Sequence, residues 1–427
     1  MKKYLLMFLL MLILMVCADQ GQAAIIQYYV RLAGHDTNCN GLVDVDDSVG
    51  VRPNCAKLTI YGGITQVVTD LNGVTANSAT INVQPGTYAE THNLILSKGD
   101  HYPEIGDGTL NLHDGTSGKE WTIQGNGGVA TIDATGIATY QTYGSVVVSG
   151  LDYTRLRYLK VINSNDATKN DFYLSAAEYG LIEYCQAYYY NHGIELSGSE
   201  NSVVRYNYIE GSHDAGSSSG IKIGNTITDN TQVYYNVINL AGGTGGNYHG
   251  GINISGADGA KVWNNTIYGS HKVGILVWTG ATGVQLRNNL VFGSDTYELV
   301  VTTDSQGTFD SDYNLFYRAS GKPIYWGGTF AAATGPADGT EYTVAEFAAA
   351  VSVDTHSVAT DPKTVSTSDF NLLAGSPAIN KGTILAGLVL DYAGNTVPKC
   401  GATDIGAYEY QTCGGSGSFG FNFNFSF

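Results

Sequence analysis

From about Leu181 to Phe316 the chain is a succession of short runs in which apolar residues alternate with variable ones. One set reads Gly193-Ile194-Glu195-Leu196, Gly220-Ile221-Lys222-Ile223, Gly251-Ile252-Asn253-Ile254 and Gly274-Ile275-Leu276-Val277. Period-two alternation over three or four residues predicts strands whose two apolar residues point inward while the middle residue points out. A second set ends in Asn: Val204 to Ile209, Val233 to Ile238, Val262 to Ile267, Leu286 to Val291 and Asp310 to Phe316. No apolar run is long enough, at helical period, to compete with the strand reading here.

The last Asn of each unit falls at 207, 236, 265, 289 and 314, a spacing of 29, 29, 24 and 25 residues, with Cys185 and Leu159 in the same slot of earlier units. Self-similarity at this period signals a solenoid. Two or three short strands per unit cannot make a flat parallel sheet without long crossovers. They can coil so that each strand pairs with its equivalent one turn on, and stacked Asn side chains can then satisfy the bent backbone of a tight turn. The Gly-Ile-x-Ile runs, the Asn column and Ala79 to Tyr88, which ends in Pro-Gly-Thr-Tyr, resemble the right-handed parallel β-helix proteins of the pectate-lyase-like superfamily. The expected fold class is all-β, a right-handed parallel β-helix with an N-terminal cap and an irregular C-terminal capping segment. In that family the Asn column marks the turn between the second and third strands, which implies that the Gly-Ile-x-Ile runs form the first sheet.

The expected organisation is a signal peptide at 1–23, an N-terminal cap and first coils at 24–145, central repeats at 146–320, a C-terminal capping segment at 321–412 and a tail at 413–427. Lys2 and Lys3, the apolar run Tyr4 to Val16 and the small residues that follow read as a secretory leader, too short to span a membrane. Export permits disulfides, for which Cys39–Cys55 and Cys400–Cys413 are the economical pairs, leaving Cys185 as a buried thiol. Ile25 to Val30 and Leu58 to Ile60 read as strands or the flank of a cap. Asp369 to Leu372, Gly375 to Asn380 and Asp404 to Tyr410 resemble the closing segment of exported bacterial β-helix proteins and are expected to cover the last coil. After a Gly/Ser linker, Phe419, Phe421, Phe423, Phe425 and Phe427 alternate with small polar residues. Two readings of this tail stand side by side: self-assembly or surface attachment, and packing on an edge of the same chain.

Fifty-five Gly, 30 Tyr and only 14% charged residues suit a turn-rich β protein, and the net charge of −17 argues against nucleic acid and anionic membranes. A polyanionic substrate would therefore need local cations or a metal. Within the cap, Asp36, Asn38, Asn40, Asp44 and Asp47, with Gly41 and the Leu42 carbonyl, resemble a single dockerin or EF-hand-type calcium loop, with Asp instead of Glu at the last position. The competing reading is an acidic, disulfide-tied turn. Bound calcium would be structural.

The resemblance implies a polysaccharide groove along the outside of the first sheet. Its outward residues would be Glu195, Lys222, Asn253 and Leu276, and the preceding loops carry His192, His213-Asp214, Tyr248-His249 and His271-Lys272. A uronate lyase must neutralise the substrate carboxylate, remove the proton at C5 and protonate the leaving oxygen. Lys222 or a neutral His is the candidate base, His213, His249 or Tyr248 the acid, and Asn253 a carboxylate ligand. A hydrolase would need two carboxyl groups, and Glu195 with Asp214 is the available pair. Arg205, Tyr234, Trp263 and Arg287 form a second outward stripe, able to stack on sugars and pair with anions, or simply to stack for stability. The paired-Asp and Gly-His-Gly signatures of polygalacturonases and the Asp-Pro-His signature of mannuronan epimerases are absent. The function expected from the sequence is polysaccharide binding or cleavage, lyase before hydrolase, against a non-catalytic adhesin, matrix or fibre protein.

Overall fold

The computed structural model describes residues 25–34, 36, 39–43, 55–71, 78–98, 112, 114–137, 144–164, 170–189, 191–211, 218–224, 228–241, 250–331 and 334–412. The leader and the Phe-rich tail lie outside these residues. The described chain is a parallel β-helix with three long sheets, two of ten strands and one of nine, and every successive pair in the coil is parallel. The first sheet contains His192–Ser197, Ser219–Gly224, Gly250–Ser255 and Val273–Trp278, as the Gly-Ile-x-Ile runs predict. The second contains Val203–Arg205, Gln232–Tyr234, Lys261–Trp263 and Gln285–Arg287, and the third Tyr208–Gly211, Val237–Asn239, Thr266–Tyr268 and Leu290–Phe292.

The interior is one apolar column to which all three sheets contribute. Ile194, Ile221, Ile252, Ile275 and Leu299 stack in register from the first sheet. Glycine precedes the inward Ile at four consecutive rungs for a steric reason. A Cβ at Gly193, Gly220, Gly251 or Gly274 would come within 2.7, 2.6, 2.3 or 2.2 Å of Ile209, Ile238, Ile267 or Val291 of the third sheet. At this corner only a bare backbone fits.

The Asn column is the ladder that the spacing implies. Each Oδ1 accepts from the backbone N–H and the amide of the preceding Asn, at 3.0 Å for Asn207 on Asn236 and for Asn236 on Asn265, and the series runs on through Asn289 to Asn314. Each amide also donates to a strand carbonyl of the coil below, as Asn236 does to Val204 at 3.0 Å. Cys185 stands in the slot below Asn207 and its N–H donates to Asn207 Oδ1 at 2.9 Å.

The residue before each ladder slot adopts the left-handed backbone, with φ of 55° at Tyr184 and Tyr206, 52° at Tyr158 and Tyr235, 50° at Asn264 and 55° at Asn288. Tyrosine is costly there. Ring stacking offsets the cost: Tyr158, Tyr184, Tyr206 and Tyr235 follow one another at centroid distances of 5.0, 5.0 and 5.8 Å.

The N-terminal end is closed by the helix Ile60–Leu71, where the sequence pattern suggested a strand or a cap flank. Ile60, Ile64, Val67, Val68 and Leu71 fall on one helical face and join the core above Val30 and Ile81. At the other end Thr340–Tyr342 pairs antiparallel with Ile324–Trp326, and the helix Val344–Val351 drives Phe347 into the core. An antiparallel strand ends the parallel stacking and shields the edge. Residues 354–358 then cross the last coil, with Val358 bonded to Asn314 and Phe316.

The segment after that does not cover the last coil, as expected from sequence, but runs back along the side of the β-helix. Phe370, Leu372, Ala378, Ile405 and Ala407 pack on Val237, Leu290, Phe292 and Leu315 of the third sheet. That outer face is apolar, so burying it decides where the segment goes. The Tyr column gives way to Asn264 and Asn288 where the segment docks: Asn264 donates to the carbonyls of Asp404 and Gly406, and Asn288 to that of Thr383.

Cys39–Cys55 is a disulfide, Cys185 is a buried thiol, and Cys400 is disulfide-bonded, its expected partner Cys413 lying outside the described residues.

Candidate functional site

The outward row of the first sheet reads, rung by rung, Ile95, Val147, Tyr173, Glu195, Lys222, Asn253, Leu276, Val300 and Tyr325. The sequence register is therefore the observed one. The row is not the exposed polar surface that outward positions usually form: apart from Lys222 every member is buried. Three polar rungs are set into an apolar face.

Their contacts are specific. Lys222 Nζ lies 3.0 Å from Glu195 Oε1, with side chains 17% and 8% exposed. Asn170, one rung earlier, donates its amide to Glu195 Oε2 at 2.6 Å. Trp278 donates its indole N–H to Asn253 Oδ1 at 2.8 Å. His192 starts the Glu195 strand, is buried, and acts electrostatically on the same carboxylate. Burial of Glu195 opposes ionisation, but His192, Lys222 and the bonds from Lys222 and Asn170 outweigh it and hold the carboxyl below its ordinary range. Glu195 is therefore an anion at neutral pH, suited to holding a cation or acting as a base and unsuited to delivering a proton.

Replacing a buried ion pair by apolar side chains is often neutral or stabilising, and the neighbouring rungs show that this face accepts Val, Leu and Tyr. A retained pair here points to use. Asn170 and Trp278 were missed in the sequence. Trp278 was findable, because it lies two residues beyond the outward Leu276 on the same face. Asn170 carries no Gly-Ile signature and gives no local signal.

His213, Asp214, Tyr248 and His249 lie outside the described residues, and so do Asn38, Asp44 and Asp47. In the sequence the segments holding His213-Asp214 and Tyr248-His249 precede Ser219–Gly224 and Gly250–Ser255, the strands that carry Lys222 and Asn253.

The second stripe, Arg205, Tyr234, Trp263 and Arg287, also stacks in register. Its cations are engaged within the protein. Arg205 shares the buried Glu183 with Arg157, at 2.6 and 2.5 Å, and Arg287 pairs with Asp310 at 2.6 Å. Tyr234 is buried, in a cluster with Tyr206, Tyr235 and Val397 against which Trp263 packs. The middle of this stripe is thus packing under the C-terminal segment.

The described part of the calcium-like loop has other employment. Asp36 Oδ1 accepts from the N–H of Leu58 and Thr59 at 2.8 and 3.0 Å, and Oδ2 from the Thr59 hydroxyl at 2.6 Å, ahead of the helix Ile60–Leu71. Lys57 Nζ sits 2.7 Å from the Asp36 carbonyl, and Asn40 Oδ1 accepts from Leu42 N–H at 3.0 Å. A calcium ion would have to draw Asp36 from these bonds, so the described donors do not fit one as they stand, and calcium in this loop stays a proposal. Among the described residues no group of three or more His, Cys, Asp or Glu is placed to hold a metal.

Residues 114–291 match the family model described as "Right handed beta helix region". No curated protein sequence matches the chain. Among solved structures, the pectate lyase Pel9A is similar at 14% identity and a TM-score of 0.46, over 91% of this chain and 98% of that one. The pectate lyase Bsp165PelA from Bacillus sp. N165, in complex with trigalacturonate, is similar at 12% identity and a TM-score of 0.38, over 78% of this chain and 95% of that one. The periplasmic alginate epimerase AlgG is similar at 16% identity and a TM-score of 0.32, over 61% and 67%.

Proposed function

We propose that this right-handed parallel β-helix protein is exported and binds an acidic polysaccharide across the outer face of its first sheet, cleaving it by β-elimination. The observation that carries the reading is the polar island Asn170–Glu195–Lys222–Asn253–Trp278 in an otherwise apolar row. Export rests on the leader-like sequence at 1–23 and is consistent with the Cys39–Cys55 disulfide.

Lys222, positioned by Glu195, presents the cation that meets a uronate carboxylate, with Asn253 beside it. Neutralising that carboxylate acidifies the proton at C5. A neutral histidine from the adjoining loops, His213 or His249, takes this proton; the electron pair forms the C4–C5 double bond, and the C4–O bond breaks. The departing oxygen receives a proton from the other histidine or from Tyr248. Hydrolysis is the weaker reading, because Glu195 is held ionised and only Asp214 would remain to act as acid. The internal pairing of Arg205 and Arg287 supports the competing reading, a non-catalytic surface or matrix protein.

The deciding assay follows unsaturated-uronate absorbance on a panel of acidic polysaccharides, with and without calcium, beside Lys222→Ala. A rise that the variant abolishes establishes elimination at this site. No rise and no new reducing ends would leave the non-catalytic reading for the glycans tested.

A further inference from the structure

We infer that the outer face of the second sheet carries a separate binding groove for one acidic sugar ring of a glycan, away from the first-sheet patch. This rests on the acidic-polysaccharide reading above. The groove, about 270 Å³, lies near the N-terminal end of the described repeats. Its size falls just below the roughly 300 Å³ at which sites for drug-sized ligands begin, which suits a single substituted ring.

The floor is Leu181 and Val203, half-buried residues at one outward position of adjacent rungs. One wall is Tyr153 and Tyr179, stacked at 4.7 Å, with Tyr179 45% exposed. These belong to a left-handed column at the turn between the first and second sheets: Tyr153, Tyr179, Asn201, Asn230, Gly259 and Gly283 have φ between 55° and 68°. Asn and Gly are the ordinary occupants of that conformation. The column departs from them, with Tyr153 and Tyr179, at the rungs that line the groove. The stack ends at Tyr179 above the short Asn201, one strand spacing on, where a sugar ring can continue it.

The N-terminal end of the floor and the side away from the tyrosines are cationic: Arg155 is in register with Leu181, and Arg205 lies two residues beyond Val203 on the same face. Arg155 pairs with Glu120 at 2.6 Å and is 39% exposed, while Arg157 and Arg205 share the single buried Glu183. Three guanidinium groups meet two carboxylates, so one positive charge is uncompensated in a chain of net charge −17. Next to Tyr153, Tyr179 and Asn201 in the chain come Asp152, Glu178 and Glu200, and burial, together with repulsion from Asp152 and Glu200, raises the Glu178 carboxyl above its ordinary value. A ligand carboxylate is therefore directed to the arginine side, where a guanidinium can grip it with two hydrogen bonds.

The test is electrophoretic retardation in native gels containing polygalacturonate, alginate or neutral dextran. It compares the full chain with Tyr179→Asn, Arg155→Gln and Lys222→Ala. The first two substitutions install residues the chain already uses in the same columns, Asn201 and Gln232, and thermal melts confirm folding. The expected result is retardation by one or both acidic polymers that Tyr179→Asn and Arg155→Gln each weaken at least fivefold, while Lys222→Ala, which removes the first-sheet cation, leaves a residual retardation that reports the groove. Retention of groove-dependent binding in a protein that shows no elimination would leave the groove standing while the first-sheet chemistry fell. Wild-type retardation in both groove variants, equal retardation by dextran, or none by either acidic polymer would overturn the proposal.

Discussion

Replacing Asn236 by Ala tests whether the Asn ladder is a structural spine or an ornament of the repeat. The side chain is fully buried. Its Oδ1 accepts from Asn207 N–H and Nδ2, both at 3.0 Å, and its Nδ2 donates to Val204 O at 3.0 Å, Tyr234 O at 3.2 Å and Asn265 Oδ1 at 3.0 Å. Truncation leaves one of these without a partner in the dry interior, the Asn207 N–H, since the Val204 carbonyl keeps its place in the parallel ladder with Gln232–Tyr234. Asn207 Nδ2 keeps Ile182 O, and Asn265 Oδ1 keeps the Asn236 backbone N–H. At about 1–3 kcal/mol for a buried group left unmade, the expected loss is about 2 kcal/mol. Guanidinium titration by circular dichroism measures it, with Gln232→Ala on the outer face of the adjacent second-sheet strand as a control expected within about 0.5 kcal/mol of wild type. Because a solenoid can lose rungs locally, tyrosine fluorescence is recorded on the same samples. A loss below about 1 kcal/mol would show that water or a backbone shift satisfies this group, and the ladder argument would be wrong.

The Glu195–Lys222 pair should behave as a buried pair: Lys222→Met alone costs about 3 kcal/mol, and Glu195→Gln added to it recovers much of that in denaturant titrations. Equal, additive losses would mean that the two side chains do not interact. For pH, the sign differs between acids. Glu195, held low, contributes stability above its unfolded value near 4.5 that is lost as pH falls through its lower folded value. Burial raises Glu298 to about 7 and Asp171 to about 8; their contribution is present below the unfolded values and lost as pH rises through 7 to 8. Melting temperature should therefore fall as pH rises from about 4.5 to 8, and Asp171→Asn with Glu298→Gln should flatten the slope; an unchanged slope would assign it elsewhere. Burial lifts the Cys185 thiol to about 12, so iodoacetamide should label it only after denaturation; labelling of the native protein would place it outside the core. Asp36 already ties down the segment Leu58–Thr59 ahead of the helix Ile60–Leu71, so millimolar calcium should leave the melting temperature unchanged. A rise of several degrees would show that the 36–47 loop rearranges around the ion.

The repeat is where the sequence was most legible, because each coil contacts mainly the coils above and below it. A residue's column then follows from counting: the inward Ile194–Ile221–Ile252 series, the Asn ladder and the outward order Glu195–Lys222–Asn253 are all read off spacing, and the structure keeps each in register. Short repeats also hide information. The helix Ile60–Leu71 reads as a strand or cap flank in the sequence, although its apolar residues recur at three- and four-residue intervals, because its neighbours are strand-like and Gly62 and Gly63 sit inside it.

What the sequence alone determined, then, is the coil, its rungs and the face each residue takes, since those depend on local alternation and nearest-neighbour pairing. Tertiary structure decided what covers each face. The closing segment, expected at the last coil, lies along the third sheet because Val237, Leu290 and Leu315 make that face apolar. Arg205 and Arg287, candidates for a ligand, meet Glu183 and Asp310 in neighbouring coils at sequence distances of 22 and 23 residues. Asn170 reaches Glu195 from the adjacent rung of the first sheet, 25 residues earlier in the chain. Such contacts depend on stacking distance and on which surfaces gain most by leaving water, and neither is encoded in any one stretch of the chain.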